Sequence, residues 1–340
     1  MRPLTTATSE PEALRRRRLV VITVNYYCSE LVAGLVEATM AMGDPDLSFI
    51  VVDNSVHDPG LDALSRWPAL TLLRAPANLG FGAGCNLGLA HARDQDPGAI
   101  AWLLNPDARL LPGAIAIVRR ALEESPRPAV LGTRIRDLEG RHWFDRGRFD
   151  PWLGRLLHRP DPAAAPQGFP APAAAPSRQR ADLRPPGCDL SESSDWLSGC
   201  SLILDLEALG APPRFDPQIF LDYEDAELCL RLAKQGHLVR VTRAVLVEHA
   251  VSAVTARVPQ AKYRHATFSK LYVLFLHATP LALGLNLLYY SLRPLLQLRR
   301  DPAQAQGRWA GLIDFLAWWA RRLRGDQRLR HPRTRFTASS

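Results

Sequence analysis

Lysine is nearly missing from this chain. Of 42 basic residues in 340, only Lys234, Lys262 and Lys270 are lysines; the rest are arginines, and 34 acids leave a net charge of +8. None of the three lies in a glycine-rich loop after the first apolar run, where Asn25-Tyr26-Tyr27 stands instead. Cysteine is sparse as well. Cys28, Cys85, Cys188, Cys200 and Cys229 are odd in number and scattered, with no CxxC pair and no zinc spacing, which fits a reducing compartment. The dinucleotide fingerprint is absent, because a GxGxxG begun at Gly82 would need glycine at Leu87. No basic stripe interleaves with exposed aromatics, so nucleic acid is excluded as the partner. Arg15 to Arg18 precede an apolar run too short for a signal-peptide core, and no small-residue cleavage site follows; a cytoplasmic location is expected.

What is present is an alternation of short apolar runs and amphipathic stretches. Leu19–Val24 is continuous and rich in β-branched residues, as a strand buried on both faces would be. Ser29 is placed to cap the helix that follows. Further strands are expected at Phe49–Val52, Leu70–Leu73, Ile100–Leu104 and Ala129–Thr133. Helices are expected after Asn86 and from Pro112-Gly113 to about Glu124. The βαβαβαβ order predicts an α/β fold with a mostly parallel nucleotide-binding sheet flanked by helices. Ligands of such sheets bind beyond the carboxyl ends of the strands. Asn25, Asp53, Asn78, Asp107 and, later, His249 all fall there. The glycines Gly80, Gly82 and Gly84 would let backbone approach a nucleotide closely.

The stretch from Phe215 to His249 holds the acids Asp222, Glu224, Asp225 and Glu227, then a helix, a turn at Gly236 and a strand ending on His249. Acids in a first helical turn suit the helix dipole. A carboxylate there can also serve as a general base, Glu224 and Asp225 both being within reach by spacing. Asp107 with His249 would leave coordination positions open for diphosphate oxygens on Mg²⁺ or Mn²⁺.

The ordered set Val24-Asn25-Tyr26, Val51-Val52-Asp53-Asn54, Asn78-Leu79-Gly80-Phe81-Gly82, Leu104-Asn105-Pro106-Asp107, Trp196-Leu197-Ser198-Gly199-Cys200, Tyr223-Glu224-Asp225 with Leu228-Cys229-Leu230-Arg231, and Glu248-His249 resembles family 2 glycosyltransferases, in particular their rhamnosyltransferase-like branch. The resemblance covers about residues 19–250. It implies a GT-A fold, a nucleotide-sugar donor, a divalent metal and inversion at the anomeric carbon. It implies nucleotide-sugar contacts from Asn25, Asp53, Asn78, Gly80, Gly82 and Asn105, with Asn105 in place of the first acid of an Asp-x-Asp-like motif. Asp107 and His249 would be the metal ligands, Asp225 the base with Glu224 as neighbour or substitute, and Trp196 and Gly199 the acceptor side. The branch points to L-rhamnose from dTDP-rhamnose as the first donor to consider, and to a cell-envelope glycan or polyprenyl-linked acceptor. Ala226-Glu227 departs from the family's usual apolar-acid step.

The expected organisation is a disordered basic arm over 1–18, a catalytic domain over 19–255 with a Pro/Ala-rich insertion at 159–187, a helical extension over 256–330 and a tail. In the extension, Phe268–Leu298 is strongly apolar but broken by Pro280, His277 and Asn286, which argues against a clean membrane span. Its Arg borders and the cluster Trp309, Phe315, Trp318 and Trp319 predict in-plane attachment at the inner membrane face. The competing reading packs these helices on the domain or on a second subunit as a homodimer. Two other classes compete: a sugar nucleotidyltransferase, which would want a Lys-bearing loop after the first strand, and a non-catalytic membrane-bound scaffold on the same fold, which would have lost Asp107, Asp225 and His249.

Overall fold

The computed structural model describes residues 17–55, 57–159, 190–250 and 259–325. Most of the expected arm and insertion, and the whole tail, lie outside these residues. The first half alternates β1 (Leu19–Asn25), α1 (Ser29–Met40), β2 (Leu47–Asp53), a 3-10 turn (Pro59–Arg66), β3 (Leu70–Arg74), α2 (Phe81–Gln95), β4 (Ile100–Leu104), β5 (Ala108–Leu110), α3 (Ala114–Leu122) and β6 (Val130–Asp137). Short strands follow: β7 (His142–Phe144), β8 (Arg146–Asp150), β9 (Arg155–Arg159), β10 (Ser191–Ser193) and β11 (Ser201–Asp205). Then come α4 (Leu206–Leu209), α5 (Glu224–Lys234), β12 (Val239–His249), α6 (Pro259–His277), α7 (Pro280–Gln297) and α8 (Pro302–Leu323).

The central sheet has the order β10-β12-β6-β11-β4-β1-β2-β3, with β5 added on β12 and β7 on β6. The parallel reading holds for β3-β2-β1-β4. Beyond β4 the sheet is mixed: β11 runs antiparallel to both β4 and β6, while β12 is parallel to β6. Every residue of β1, β2 and β4 is buried, so these strands need apolar side chains on both faces.

Ser29 is not the cap of α1. Cys28 holds that position, with no side-chain cap, and Ser29 is the first helical residue. The glycines of α2 also do something other than expected. A Cβ on Gly88 would overlap the Ile22 side chain, and one on Gly84 would lie 3.0 Å from Val24 Cγ1. Four residues apart, they form one flat strip that seats α2 directly on β1.

A second apolar core is built by α6, α7 and α8 around Phe268, Leu271, Tyr272, Phe315 and Trp318, with Ile219 and Leu230 from the segment carrying α5. Gly307 and Gly311 bring α8 against the α6 backbone, where added Cβ atoms would overlap the carbonyl oxygens of Gln260 and Arg264. Arg264 closes the contact with a bidentate pair to Asp314 at 2.5 and 2.9 Å. The tryptophan cluster read as a membrane border is therefore corrected in part: Phe315 and Trp318 are core, and Trp309 donates Nε1–H to the Ser291 carbonyl between α7 and α8. No described helix is long and apolar enough to cross a membrane.

Candidate functional site

The carboxyl ends of β1, β2 and β4, the start of α5 and the end of β12 meet in one crevice. Asn25 and Asp53, partners in register at the ends of β1 and β2, are both fully buried. The Asn25 amide lies 3.1–3.2 Å from oxygens of Asp53, Ser55 and Asp58, and its own Oδ1 accepts from the Cys28 backbone N–H. Asp53 accepts from the N–H groups of Ser55 and Asp58, each at 3.0 Å, and from Arg74 at 3.2 Å. These two residues brace Ser55 and Asp58 and present no surface to a ligand. A buried carboxylate with four donors is stable only because each lone pair is used.

Asn78 and Gly80 are likewise occupied. Asn78 Oδ1 accepts from Asn54 and from the Gly80 N–H, while Asn54 Oδ1 accepts from the Leu79 N–H at 2.9 Å. Gly80 has φ of +84°, and a Cβ there would overlap the Phe220 carbonyl oxygen, which already accepts from Phe81 N–H at 3.2 Å. A Cβ on Gly82 would lie 2.9 Å from Phe215 Cβ. The close approach expected of this turn is thus made to protein: the glycines seat the 215–224 segment that carries the acids. Gly80→Ala should cost at least about 2 kcal/mol from its left-handed backbone and the clash together. A drop of several degrees in Tm checks this; an unchanged Tm would show that the turn relaxes freely.

Asp107 and His249, both expected at strand ends, lie side by side. β5 pairs antiparallel with β12, setting Ala108 opposite His249. Asp107 Oδ1 lies 3.1 Å from His249 Nε2, and both side chains are largely buried. The Trp143 ring meets the imidazole edge-on at 4.5 Å between centroids and fixes its plane. His249 Nδ1 finds no partner among the described residues. Asn105 stands beside them, half-buried, its backbone N–H bonded to the Cys200 carbonyl at 3.1 Å.

The two acids at the start of α5 have different surroundings. Tyr223 and the preceding Asp222 are both left-handed, at φ +67° and +64°, a strained pair of non-glycine residues. Contacts from α6 hold the segment: Ser269 donates to the Leu221 carbonyl and Tyr272 to Asp216, at 2.9 and 2.8 Å. The turn aims Glu224 inward, where it is buried and its Oε2 has no partner among the described residues. Burial, with the neighbouring Asp225 and Asp222 charges, pushes the Glu224 pKa well above the usual carboxylate range. Asp225 accepts the Gly199 N–H on Oδ2 and the Ala226 N–H on Oδ1, both at 2.7 Å. Burial raises its pKa to about 6, against the lowering effect of those N–H groups. Asp107 and Asp225 both raise the pKa of the Cys200 thiol between them, though its own burial is the larger cause.

Gly199 acts on this acid from the other side, and Trp196 packs three residues before it. The Gly199 N–H holds Asp225, and a Cβ on Gly199 would lie 3.2 Å from Phe81 and 3.4 Å from Asp225 Oδ2. Trp196 is buried between Phe144 and His158, over Gly147 of β8. Its indole donates to the Arg148 carbonyl at 3.3 Å. Trp196 therefore shapes the crevice by packing and offers it no polar atom. Sequence reasoning missed Asn54, Asp58 and Trp143. Asp58 carried a signal, since Asp-Pro-Gly opens a turn; Trp143 carried none.

Among the described residues no third His, Cys, Asp or Glu joins Asp107 and His249. The pair fits a divalent cation. Donor atoms 3.1 Å apart match adjacent ligands of an octahedral shell with bonds of about 2.1 Å, whose edge is about 3.0 Å. A carboxylate and an imidazole also suit Mn²⁺ or Mg²⁺ while leaving positions for phosphate oxygens.

Comparison with known proteins follows the same line. Residues 19–171 match the family model described as Glycosyl transferase family 2. Over 244 residues the chain is 29% identical to N-acetylglucosaminyl-diphospho-decaprenol L-rhamnosyltransferase of Mycobacterium tuberculosis, covering 68% of this chain and 76% of the relative. Among solved structures it resembles the mannosyltransferase PcManGT from Pyrobaculum calidifontis in complex with GDP-Man and Mn²⁺. The TM-score is 0.52 and the identity 14%, over 91% of this chain and 90% of that one. It also resembles GalNAc-T7 with UDP, GalNAc and Mn²⁺, with a TM-score of 0.55 and 13% identity over 75% of this chain and 48% of that one. At these identities the structural likeness is one of fold.

Proposed function

The chain is a family 2 glycosyltransferase, and on that premise we propose that it transfers a sugar, with inversion, from a nucleotide sugar to a hydroxyl of a polyprenyl-linked diphospho-sugar. The relative acting on N-acetylglucosaminyl-diphospho-decaprenol supports that acceptor class, and its L-rhamnosyl product supports dTDP-rhamnose as donor. The observation that carries the reading is Asp225. It is held by the Gly199 N–H at the start of α5, with a pKa of about 6 that leaves it ionised yet basic at neutral pH.

In this reading Asp225 Oδ accepts the proton of the acceptor hydroxyl as that oxygen attacks the anomeric carbon from the face opposite the leaving group. The bond from the sugar to the diphosphate oxygen breaks with its electron pair on the nucleoside diphosphate. Glu224, buried at the preceding position, is opposed in its ionisation by that burial and by the Asp225 charge. Asp107 and His249 would hold Mg²⁺ or Mn²⁺, which supplies charge neutralisation to the diphosphate when bound. Asn105, with no side-chain partner among the described residues, is free to meet the donor sugar. Asp53, Asn25 and Asn78 contribute by keeping the base-side loops in place. The enzyme would work in the cytoplasm, at the inner face of the membrane where a polyprenyl acceptor sits.

Calorimetric titration with a panel of nucleotide diphosphates and nucleotide sugars, with and without Mn²⁺, tests the donor side. The reading predicts binding that depends on Mn²⁺ and prefers dTDP-rhamnose. Binding indifferent to divalent metal would remove the cation from the account, and preference for another nucleotide sugar would replace the donor.

A further inference from the structure

Helix α7 has two apolar faces. One carries Leu283 and Tyr290 into the second core. The other carries Leu281, Leu285, Leu288, Leu292 and Leu296 at helical spacing, and all five are exposed, Leu281 at 65% and Leu296 at 82%. A leucine stripe of this length on a surface helix lacks a partner. It does not end with the helix. The tip of the β8–β9 hairpin, with Trp152 69% exposed and Leu153 beside it, is bound to the corner where α6 gives way to α7. Thr279 N–H donates to the Pro151 carbonyl at 2.9 Å, and Asn286 Nδ2 donates to the Leu153 carbonyl at 3.2 Å. Gly154, at φ +63°, lets this tip approach so closely that a Cβ would stand 2.8 Å from Asn286 and 3.0 Å from Leu274. Trp152 and Leu153 are therefore held outward on a fixed turn.

The charges around this surface have one dominant sign. α7 contains no acid, its only charged residue being the exposed Arg293, and exposed Arg299 and Arg300 follow it. Directly beside the tip, exposed Arg155 lies close enough to half-buried Lys270 to lower that amine's pKa, after burial itself. Neither cation has an acidic partner among the described residues.

We propose that the outer face of α7 and the Trp152-Leu153 tip together form a single seat for an anionic lipid bilayer surface, with the leucines and the tryptophan entering the headgroup region and the arginines meeting lipid phosphates. The proposal rests on the reading of a lipid-linked acceptor and gives it a place. The hairpin that carries Trp152 at one end carries Gly147 under Trp196 at the other, and Phe149 N–H is bonded to Asp195 at 2.9 Å. From there the chain runs to Gly199, whose N–H holds Asp225. The seat and the proposed base are joined by one continuous strip of packed structure, so an acceptor whose prenyl chain lies in the bilayer presents its sugar end toward the crevice. α6, by contrast, is withdrawn from the surface into the second core.

The test is flotation of the full-length protein with vesicles of phosphatidylcholine alone or mixed with phosphatidylglycerol, read without any transfer assay. Wild type should float with the anionic vesicles. L285S/L288S/L292S and, separately, W152S/L153S should each reduce the bound fraction at least about tenfold, with thermal unfolding unchanged because all five side chains point to solvent. Equal flotation of wild type and both variants, or none by wild type, overturns the seat. A wild-type dimer in sedimentation velocity that becomes monomeric in the α7 variant and never floats would assign the face to a second copy and also overturn it. Transfer to a short-chain soluble acceptor, measured in parallel, reports on the transferase reading separately.

Discussion

Asp225→Asn should lower kcat by about 10²- to 10⁴-fold, the usual contribution of a positioned base, while donor binding by calorimetry stays within about threefold. Glu224→Gln should leave kcat within about threefold, because glutamine keeps the shape of a side chain whose ionisation burial already opposes. The contrast separates two adjacent acids that spacing alone left equivalent. In wild type, kcat/KM should fall below about pH 6 as Asp225 takes up a proton, and this limb should be absent from the residual activity of Asp225→Asn. Loss of activity in Glu224→Gln with retention in Asp225→Asn would reverse the assignment.

The same raised pKa carries a stability consequence. Asp225 binds its proton more tightly in the folded chain than in the unfolded one, where the ordinary value is 3.8. Its favourable contribution is therefore fully present below about pH 4 and lost as pH rises through about 6. At pH 8 the ionised carboxylate costs on the order of 1–3 kcal/mol, part of it offset by the start of α5. Asparagine loses one of the two accepted N–H bonds at every pH, so the pH trend carries the test: the Tm of Asp225→Asn relative to wild type should rise by several degrees between pH 4 and pH 8. A difference constant across that range would show that Asp225 keeps an ordinary carboxylate pKa.

The second large effect concerns Asp107 and His249. Asp107→Asn and His249→Gln should each weaken Mn²⁺-dependent binding of the nucleotide sugar by at least about tenfold. Metal-free binding of the nucleoside alone should change little. His249→Gln is chosen over alanine because Trp143 packs on the imidazole and a cavity there would confound the result. Removing the metal with chelator should bring wild type to the level of the variants. Titrations in which both variants keep the wild-type metal response would dissolve the pair as a cation site.

How legible all this was in the sequence depends on what kind of residue carried the message. β1, β2 and β4 were readable because strands buried on both faces leave unbroken apolar runs, and β4 appears with the bounds the run predicted. The strands β7 to β10 were not. They are three to five residues long, and segments such as Arg146–Asp150 carry little apolar patterning because they lie in hairpins and at edges. Asp107 and His249 were findable because each ends or follows a strand. Asp53 was found for a different reason than the one the fold gives: a strand-end acid looks the same in sequence whether it faces a ligand or is sealed under a loop by Ser55, Asp58 and Arg74. The same holds for Gly80 and Gly82, since sequence does not say whose atoms fill the space a missing Cβ leaves. The C-terminal helices mix both cases. Their hydrophobicity was plain, but only the fold separates Phe315 and Trp318, which face inward, from Leu285 and Leu292, which do not.

The most direct test of the account is product analysis by mass spectrometry. Purified protein would be incubated with Mn²⁺, a polyprenyl-diphospho-N-acetylglucosamine acceptor and each nucleotide sugar in turn. The account predicts one added sugar on the acceptor with one preferred donor, dTDP-rhamnose first, and no product from Asp225→Asn. A donor that binds in a metal-dependent manner while no sugar reaches this acceptor class would contradict it.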